Sequence, residues 1–385
     1  MRLTLKTIKN YQMEGKRLIH KLKLQNFLSY GNQGEEIELQ PLNVLIGPNG
    51  SGKSNLLEAF GILKATPTNL LVPIRKGGGV SEFLWKGKNN NLIAQIGIIL
   101  DSAKPVLDYQ LSFTNVNQRL EIVHEVIHGI KIDKVHHNTP DQSIIAQGFQ
   151  SNSKDFELAY DKTFYDTIFS LKNKFSEIGL YRNWHIGQGS VLRKPQQTDL
   201  PEHPLEEDGS NFGLVLNDLQ YQLRSQQILE PFQKFYENAE ELSIKIYGGT
   251  VQIFIREKGL SQPIPAPRLS DGTLHYLFLM ALLLDPNPPP LLCIEEPELG
   301  LHPDILPIIA DMLIAATHRT QLIVTTHSDG LVSALSEHAD SVLVCEHDEN
   351  GSHLQRLDSQ RLKTWLEKYS LGELWLMGEI GGNRW

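Results

Sequence analysis

Residues 47–54 read Gly47-Pro48-Asn49-Gly50-Ser51-Gly52-Lys53-Ser54, which matches the pattern G-x-x-x-x-G-K-[ST]. An apolar run, 42–46, precedes this stretch, and a run suited to the start of a helix, 55–60, follows it. Strand, glycine-rich turn and helix therefore occur in the order that a phosphate-binding loop requires. The glycines of such a loop let backbone N–H groups close around phosphates, Lys53 bridges the phosphates, and Ser54 offers a hydroxyl to Mg²⁺. These flanking runs disfavour the alternative, an ordinary strand-to-helix turn.

Composition places the chain among globular proteins. Its 385 residues are 40% hydrophobic and 21% charged, which indicates neither disorder nor a fibrous chain. The net charge of −9 argues against a uniformly basic nucleic-acid-binding protein but leaves a local basic patch open. Cys293 and Cys345 lie in apolar runs and are expected to be buried thiols without a disulfide role. The N-terminus lacks the apolar core of a signal peptide, and no apolar run approaches the roughly 18 residues of a membrane-spanning helix, so we expect a cytoplasmic protein without a membrane segment.

Hydrophobic periodicity changes along the chain. Two strands, 18–24 and 36–39, are expected to form an antiparallel pair before the phosphate loop, and residues 92–132 are typical of a β-meander. Helical spacing follows in 156–175 and 214–236. Residues 291–345 then alternate between strands and helices, which predicts a parallel sheet covered by helices.

Two adjacent carboxylates end the strand predicted at 291–295. Ligands of open parallel sheets bind at the carboxyl ends of the strands, where Glu295 and Glu296 would lie. Because neighbouring side chains of a strand diverge, one carboxylate can hold Mg²⁺ through water while the other orients an attacking water. The alternative is the acidic start of a helix with Pro297 in its first position.

Two further motifs accompany these carboxylates. His327 follows the apolar strand 322–326, where a histidine can contact a γ-phosphate and help to position water. Taken alone, a histidine in this place is more often a structural or surface residue. Leu269-Ser270-Asp271-Gly272-Thr273 opens a helix at 275–284. The serine hydroxyl, the N–H exposed at the glycine and the helix dipole make an anion site, although Ser270 could serve only as a helix cap.

The order of these four motifs resembles that of ABC-type ATPase heads, and specifically of the branch with the SMC and RecF proteins. Asn26-Phe27 resembles the N-F-x-S-[FY] segment of those proteins, and the run 295–303, EEPELGLHP, is similar to the E-E-P-E-x-x-L-H-P run of OLD (overcoming lysogenization defect) ATPases, AAA family members of bacterial anti-phage systems. The resemblance implies an α/β P-loop NTPase with a two-lobed ABC-type ATPase head, an antiparallel β-meander and a helical insert. Departures are Glu295, where most ABC proteins have Asp, and a glutamine loop that we do not place.

The patterns along the chain, together with the resemblance, divide the chain into four parts. We expect an N-terminal extension at 1–17, an N-terminal ATPase lobe with the phosphate loop and the β-meander at 18–145, and a largely helical insert at 146–248. The C-terminal ATPase lobe, 249–385, would carry the signature motif, the Walker B strand, the switch histidine and the tail.

Residue roles follow from the same resemblance. It implies ATP and Mg²⁺ as the cofactors, Glu295 as the Walker B acid that holds Mg²⁺ together with Ser54, Glu296 as the catalytic base and His327 as the switch histidine. Ser270 and Gly272 would contact the γ-phosphate bound by a second subunit, so the enzyme would be a homodimer, or a larger homo-oligomer, that sandwiches its nucleotides. The nucleotide-binding loop would comprise Gly47, Asn49, Gly50, Ser51, Gly52, Lys53, Ser54 and Asn55.

Two hypotheses for function remain open. The first is a Mg-ATP-dependent dimeric switch ATPase that acts with a partner effector, a nuclease, in DNA-directed anti-phage defence, because the 58 residues after His327 are too few for the Toprim nuclease of OLD proteins. The alternative is a RecF-like ATP-dependent DNA-binding protein of repair or recombination. A transporter subunit is disfavoured by the LSDGT signature and the EEPE run. Candidate DNA-phosphate contacts are Lys16, Arg17, Lys21, Lys23, Lys172, Lys174, Arg182, Arg193 and Lys194.

Overall fold

The computed structural model describes residues 15–87, 93–100, 107–127, 130–133, 140–147 and 162–382. Its strands are β1 Ile19–Gln25, β2 Glu35–Glu38, β3 Leu42–Ile46, β4 Ala94–Leu100, β5 Leu107–Val116, β6 Arg119–Ile127, β7 Ile130–Asp133, β8 Gly179–Tyr181, β9 Gln196–Gln197, β10 Ala239–Tyr247, β11 Thr250–Glu257, β12 Ile264–Pro265, β13 Leu291–Glu295, β14 Gln321–Thr325, β15 Val342–Asp348 and β16 Gly351–Arg356.

The α-helices of the same residues are α1 Lys53–Ala65, α2 Leu71–Lys76, α3 Val80–Phe83, α4 Ile144–Gln147, α5 Lys162–Ser176, α6 Phe212–Gln222, α7 Ser225–Phe235, α8 Asp271–Leu284, α9 Leu306–Ala316, α10 Asp329–Ala334, α11 Ser359–Leu366 and α12 Leu371–Leu376. Short 3₁₀ turns lie at Val191–Arg193, Ala266–Arg268, Pro303–Ile305 and Ser336–Ser341. Among the residues that the structure describes, none of these helices combines the length and apolarity needed to span a bilayer.

A six-stranded sheet with the order β16-β15-β3-β14-β13-β8 carries the motifs. Its strands are parallel except for β16, which returns antiparallel to β15. Thr325 pairs with Leu45 on one side and with Glu295 on the other, so β3, β14 and β13 end at the same level. The predicted parallel sheet is therefore confirmed, and the sheet delivers the residues after these three strands to one edge.

The two faces of this sheet pack against different layers. In β3, Val44 and Ile46 belong to one apolar cluster, which also contains residues of α8 and α9, while Leu45 belongs to the other, with α1 and the antiparallel sheet. Leu292 and Cys293 of β13 divide in the same way. Burial on both faces explains why these strands are continuously apolar rather than alternating.

The N-terminal strands form a second six-stranded sheet, ordered β2-β1-β4-β5-β6-β7. Every neighbouring pair in it is antiparallel, as the predicted hairpin and β-meander require. Leu56 and Phe60 of α1 are fully buried in the cluster that this sheet shares with the parallel sheet. The phosphate-loop helix is thereby fixed between two sheets.

The middle of the chain is less separate than the expected helical insert. It contributes α5, α6 and α7, but β8 joins the edge of the parallel sheet beside β13. The boundary drawn at 248 falls inside the β10–β11 hairpin, in which Tyr247 pairs with Thr250. A strand of three residues is too short to produce a periodic pattern, which is why β8 escapes the sequence analysis.

Candidate nucleotide site

The phosphate loop joins β3 to α1 with its glycines in conformations that other residues rarely adopt. Gly47, Gly50 and Gly52 have φ values of 143°, 80° and 108°. A Cβ on Gly47 would lie 2.2 Å from the Cys345 carbonyl oxygen, and one on Gly52 would lie 2.3 Å from Ser352 Oγ. Gly47 and Gly52 are therefore needed both for backbone torsion and for space, whereas Gly50 is needed for torsion alone.

Lys53 lies under this loop and is 5% exposed. Its Nζ donates to the carbonyl oxygens of Gly47, at 2.7 Å, and Pro48, at 2.9 Å. A buried ammonium bound by neutral carbonyls can exchange them for the charged oxygens of a phosphate, with which its hydrogen bonds are stronger. The loop thus holds its cation at the place where phosphate chemistry would use it.

The open side of the loop fits a polyphosphate. Gly50 has nothing within 4 Å of where its Cβ would be, and Asn49 beside it is exposed. Ser51 Oγ is buried and, among the described residues, has no hydrogen-bond partner. Asn55 follows on the first turn of α1, half-buried. An open backbone cradle above a buried lysine suits ATP, as a P-loop ATPase fold implies.

Glu295 ends β13 directly beside the start of α1. The Ser54 hydroxyl donates to its Oε1, and the guanidinium of Arg182 donates through Nε to its Oε2 at 3.0 Å. Arg182 Nη1 also donates to Glu58 Oε1, one turn along α1, at 2.7 Å. A hydroxyl and a carboxylate in contact supply the oxygen donors that Mg²⁺ prefers, so these residues fit that ion.

Glu296 points away from Glu295. Its backbone is in the left-handed region, with φ of 48°, and its N–H donates to the Thr325 carbonyl at 2.9 Å. Its Oε1 lies 3.6 Å from His327 Nε2, and both side chains are 37% exposed. No helix begins at Pro297, where the chain instead turns, so the alternative of an acidic helix start is wrong. The strained backbone turns this carboxylate toward the histidine that ends the neighbouring strand.

Glu298 is a third acidic residue of this edge, and its role escapes the sequence analysis. Its Oε1 accepts hydrogen bonds from Thr326 Oγ1, at 2.6 Å, and from the His327 N–H, at 2.9 Å. Burial raises the pKa of this carboxyl group. Glu298 therefore ties the 296–302 loop to the backbone that carries His327.

The signature motif lies at the start of α8. Ser270 Oγ accepts from the Thr273 N–H at 3.0 Å, which is the predicted helix cap. Arg193 Nη1 donates to the Leu269 carbonyl at 2.6 Å, and its other terminal nitrogen pairs with the Asp271 carboxylate. A Cβ on Gly272 would lie 3.2 Å from the Gly300 carbonyl oxygen, so the motif packs against the 296–302 loop.

Two aromatic residues join this motif to Glu295. Trp184 Nε1 donates to the Glu295 carbonyl at 2.7 Å, and its ring centroid lies 4.4 Å from that of His275. His275 Nδ1 contacts the Leu299 carbonyl at 2.7 Å, which makes this nitrogen the donor. Burial lowers the pKa of His275 to about 4. A sequence signal for this cluster is the aromatic and polar run at 181–187, YRNWHIG.

The structure thus brings Lys53, Ser54, Glu295, Glu296 and His327 to one edge of the parallel sheet. Ser270 and Gly272 lie instead beside the loop that follows the two carboxylates. Two of the candidate DNA contacts need correction. Arg182 and Arg193 are held by carboxylates of their own chain, and Arg193 is 10% exposed, so neither is a free surface cation.

A known protein family matches most of the chain. Residues 42–333 match the family model described as "AAA domain, putative AbiEii toxin, Type IV TA system". No curated protein matches the chain in sequence.

Several solved structures are similar in fold. An SMC head bound to the C-winged helix domain of ScpA has a TM-score of 0.62 at 16% identity, with 89% of this chain and 99% of that chain covered. The Smc head with an extended coiled coil, bound to the C-terminal domain of ScpA from Pyrococcus furiosus, has a TM-score of 0.55 at 15% identity, with 91% and 99% covered. The Smc head of Pyrococcus yayanosii with a coiled coil and joint has a TM-score of 0.53 at 11% identity, with 91% and 99% covered.

Because the family model spans most of its length, the chain belongs to this AAA-domain family, and its fold is the α/β P-loop NTPase fold of the SMC heads.

Proposed function

We propose that the protein binds Mg-ATP at the edge formed by β3, β13 and β14, hydrolyses it, and uses the cycle as a conformational switch. The observation that carries this proposal is the meeting of the phosphate loop, the two adjacent carboxylates and His327 at that edge. Lys53 exchanges the carbonyls of Gly47 and Pro48 for phosphate oxygens, and Ser54 and Glu295 hold Mg²⁺. When bound, that ion neutralises phosphate charge and orients the phosphates.

Glu296 takes the role of general base in this proposal. Its carboxylate is half-exposed and is not engaged by Ser54 or Arg182, so one face is open to a water. His327, 3.6 Å away, orients that water and contacts the transferred phosphate. The backbone of His327 is fixed in turn by Glu298.

The active form in this proposal is a homodimer with a nucleotide sandwich. In one chain, the hydroxyl of Ser270 bonds within its own helix turn, and Gly272 faces the 296–302 loop. A second protomer in the opposite orientation would bring Ser270 and Gly272 to the nucleotide of the first. A two-fold axis completes two equivalent sites at once.

Replacing Glu296 tests both its role as general base and the nucleotide-dependent dimer. E296Q keeps the shape of the side chain but removes its basicity, so we expect hydrolysis to fall by about 10²- to 10⁴-fold while nucleotide binding persists. Light scattering after size-exclusion chromatography should show a dimer of E296Q with Mg-ATP and a monomer without it. Hydrolysis at the wild-type rate would refute the role of Glu296, and an unchanged mass with ATP bound would refute the nucleotide-driven dimer.

We further propose that this switch acts with an effector protein, a nuclease, in DNA-directed anti-phage defence. The support is the OLD-like run 295–303 and a family description that names a toxin of a toxin–antitoxin system. Solved SMC heads bind domains of ScpA, so this fold can carry a partner domain. Purified products of the neighbouring genes should bind the protein and change its rate of ATP hydrolysis. If every such product leaves both binding and rate unaffected, the effector proposal is wrong and the ATPase proposal stands.

A further inference from the structure

We propose that Arg182 is a positioning residue that fixes the carboxylate of Glu295, and that a glutamate stands at 295 because it must reach both Arg182 and Ser54. This inference rests on the proposed function and deepens it, since it assigns a role to a residue outside the four sequence motifs. It also accounts for the departure from the aspartate that most ABC proteins have there.

The side-chain geometry is that of a fork between two acids. Arg182 donates through Nε to Glu295 Oε2 at 3.0 Å and through Nη1 to Glu58 Oε1 at 2.7 Å. The side chains of Arg182, Glu295 and Glu58 are 24%, 17% and 31% exposed, so the group is largely shielded from water. Partly buried, charge-assisted hydrogen bonds of this kind are stronger and more directional than surface ion pairs. The fork therefore constrains where Glu295 can point.

The backbone holds Arg182 in register with its target. Strand β8 pairs in parallel with β13, with Tyr181 opposite Ile294, so Arg182, which follows β8, comes next to Glu295, the last residue of β13. Two residues further on, Trp184 Nε1 donates to the Glu295 carbonyl at 2.7 Å. Glu295 is thus held twice from the same segment, at its side chain by Arg182 and at its backbone by Trp184.

The length of the Glu295 side chain matters because its two carboxylate oxygens accept hydrogen bonds from two different residues. Oε1 accepts from Ser54, on α1, while Oε2 accepts from Arg182, in the segment after β8. Shortening the side chain by one methylene withdraws the carboxylate by about 1.5 Å, the length of a C–C bond. That displacement exceeds the tolerance of a hydrogen bond, so an aspartate could keep one of these contacts but not both.

A purely electrostatic role of Arg182 and a positioning role predict opposite effects of its replacement on the Mg²⁺ requirement. If Arg182 acted only through its charge, removing it would strengthen the attraction of Glu58 and Glu295 for Mg²⁺, and less Mg²⁺ would be needed. If Arg182 acts by positioning, its loss releases Glu295 from Ser54, and more Mg²⁺ is needed. R182K separates the two further, because lysine keeps the charge but cannot bridge two carboxylates as a planar fork does.

The experiment titrates Mg²⁺ into the purified full chain with a fluorescent N-methylanthraniloyl-ATP and reads the bound fluorescence. We expect R182Q and R182K both to raise the half-saturating Mg²⁺ concentration by roughly 10- to 100-fold, in keeping with the effects of losing a residue that orients a metal ligand. In the E295D background, the shorter side chain already cannot contact both Arg182 and Ser54. The same substitutions should therefore change the half-saturating Mg²⁺ concentration by less than about twofold, as expected for residues that act together. The matched control is K64Q. Lys64 lies on α1, the helix that carries Ser54 and Glu58, and its substitution breaks an ion pair with Glu207 but should leave the Mg²⁺ requirement unchanged.

Each outcome is decisive. A fall or no change in the Mg²⁺ requirement of R182Q and R182K, with melting temperatures showing that they are folded, overturns the inference while the proposed function stands. An equal effect of R182Q in the Glu295 and E295D backgrounds also overturns it. A wild-type protein that does not bind the nucleotide at any Mg²⁺ concentration overturns the proposed function and this inference with it.

Discussion

The phosphate loop and the start of α8 are both glycine-containing turns at a helix N-terminus, yet their surroundings differ. The first receives a partner from another motif, because Ser54 contacts Glu295, and it is open above Gly50. The start of α8 is instead held by hydrogen bonds within its own chain. Arg193 donates to the Leu269 carbonyl, and the Ser270 hydroxyl bonds within its own helix turn. One side of the molecule is a nearly complete phosphate site, while the other is a fixed surface.

In the proposed dimer, this difference would divide the catalytic roles between the two chains. A fixed surface with a serine hydroxyl and a helix N-terminus is suited to close a site that lies elsewhere. Substitutions on the phosphate-loop side should therefore abolish binding, and substitutions on the signature side should spare binding but abolish hydrolysis. The predictions below test this division, beginning with the largest expected effect.

K53A should weaken ATP binding by about 100-fold or more, because the buried ammonium is the cation that the loop offers to phosphate. Equilibrium binding of the fluorescent nucleotide measures the loss. K64A, at the other end of the same helix, is the control and should bind as the wild type does. If K53A and K64A bind equally well, the loop is not the phosphate site.

S270R should reduce hydrolysis by about 100-fold, comparable to the loss of one transition-state contact, while nucleotide binding by the single chain stays within a factor of about two. The substitution removes the hydroxyl that would contact the nucleotide of the second protomer. Mixing S270R with K53A, each inactive alone, should restore roughly a quarter of the wild-type rate, because half of the dimers are mixed and each has one intact site. No recovery in the mixture would contradict the sandwich, and weakened binding by S270R would contradict the division between the two sides.

His275 gives the signature side a dependence on pH. Its pKa is about 4 in the folded state, below the ordinary value of 6.5, so the unfolded chain takes up the proton first as the pH falls. Its contribution to stability is therefore present at neutral pH and is lost as the pH falls from about 6.5 to about 4, by up to about 3 kcal/mol. H275N keeps a donor for the Leu299 carbonyl but does not titrate. Urea unfolding should show the wild type losing stability relative to H275N over that range; parallel pH profiles would contradict this.

Much of the fold could be predicted because strand-forming runs and turn residues act locally. The continuous burial of β3, β13 and β14 requires apolar runs, and the rule that ligands lie at the carboxyl ends of parallel strands then selects Glu295, Glu296 and His327. Arg182 could not be predicted in its role, since its partner Glu295 is separated from it by 113 residues. No local sequence pattern indicates such a pair. For that reason the sequence analysis assigns Arg182 and Arg193 to DNA contacts instead of to partners within the chain.

The β10–β11 hairpin and β8 show the other limit. Periodicity needs several residues per element, and the change in pattern that predicts a boundary at 248 is produced by the β10–β11 hairpin itself. The sequence shows that a tryptophan stands at 184 and a histidine at 275, but not that their rings are in contact. That contact depends on how α8 packs against the segment after β8. Local propensity identifies elements; only packing decides which side chains meet.

The central position of β3 also sets the order in which the protein can mature during synthesis. Its two neighbours, β14 and β15, lie near the other end of the chain, and about 275 residues separate Ile46 from Gln321. At a translation rate of about 5–20 residues per second, this strand waits about 15 to 55 seconds on the ribosome for its first neighbour. The antiparallel sheet can pair during that interval, whereas the apolar strand that carries the phosphate loop cannot. Nascent chains of this protein should therefore need protection by chaperones until the last third of the sequence has emerged.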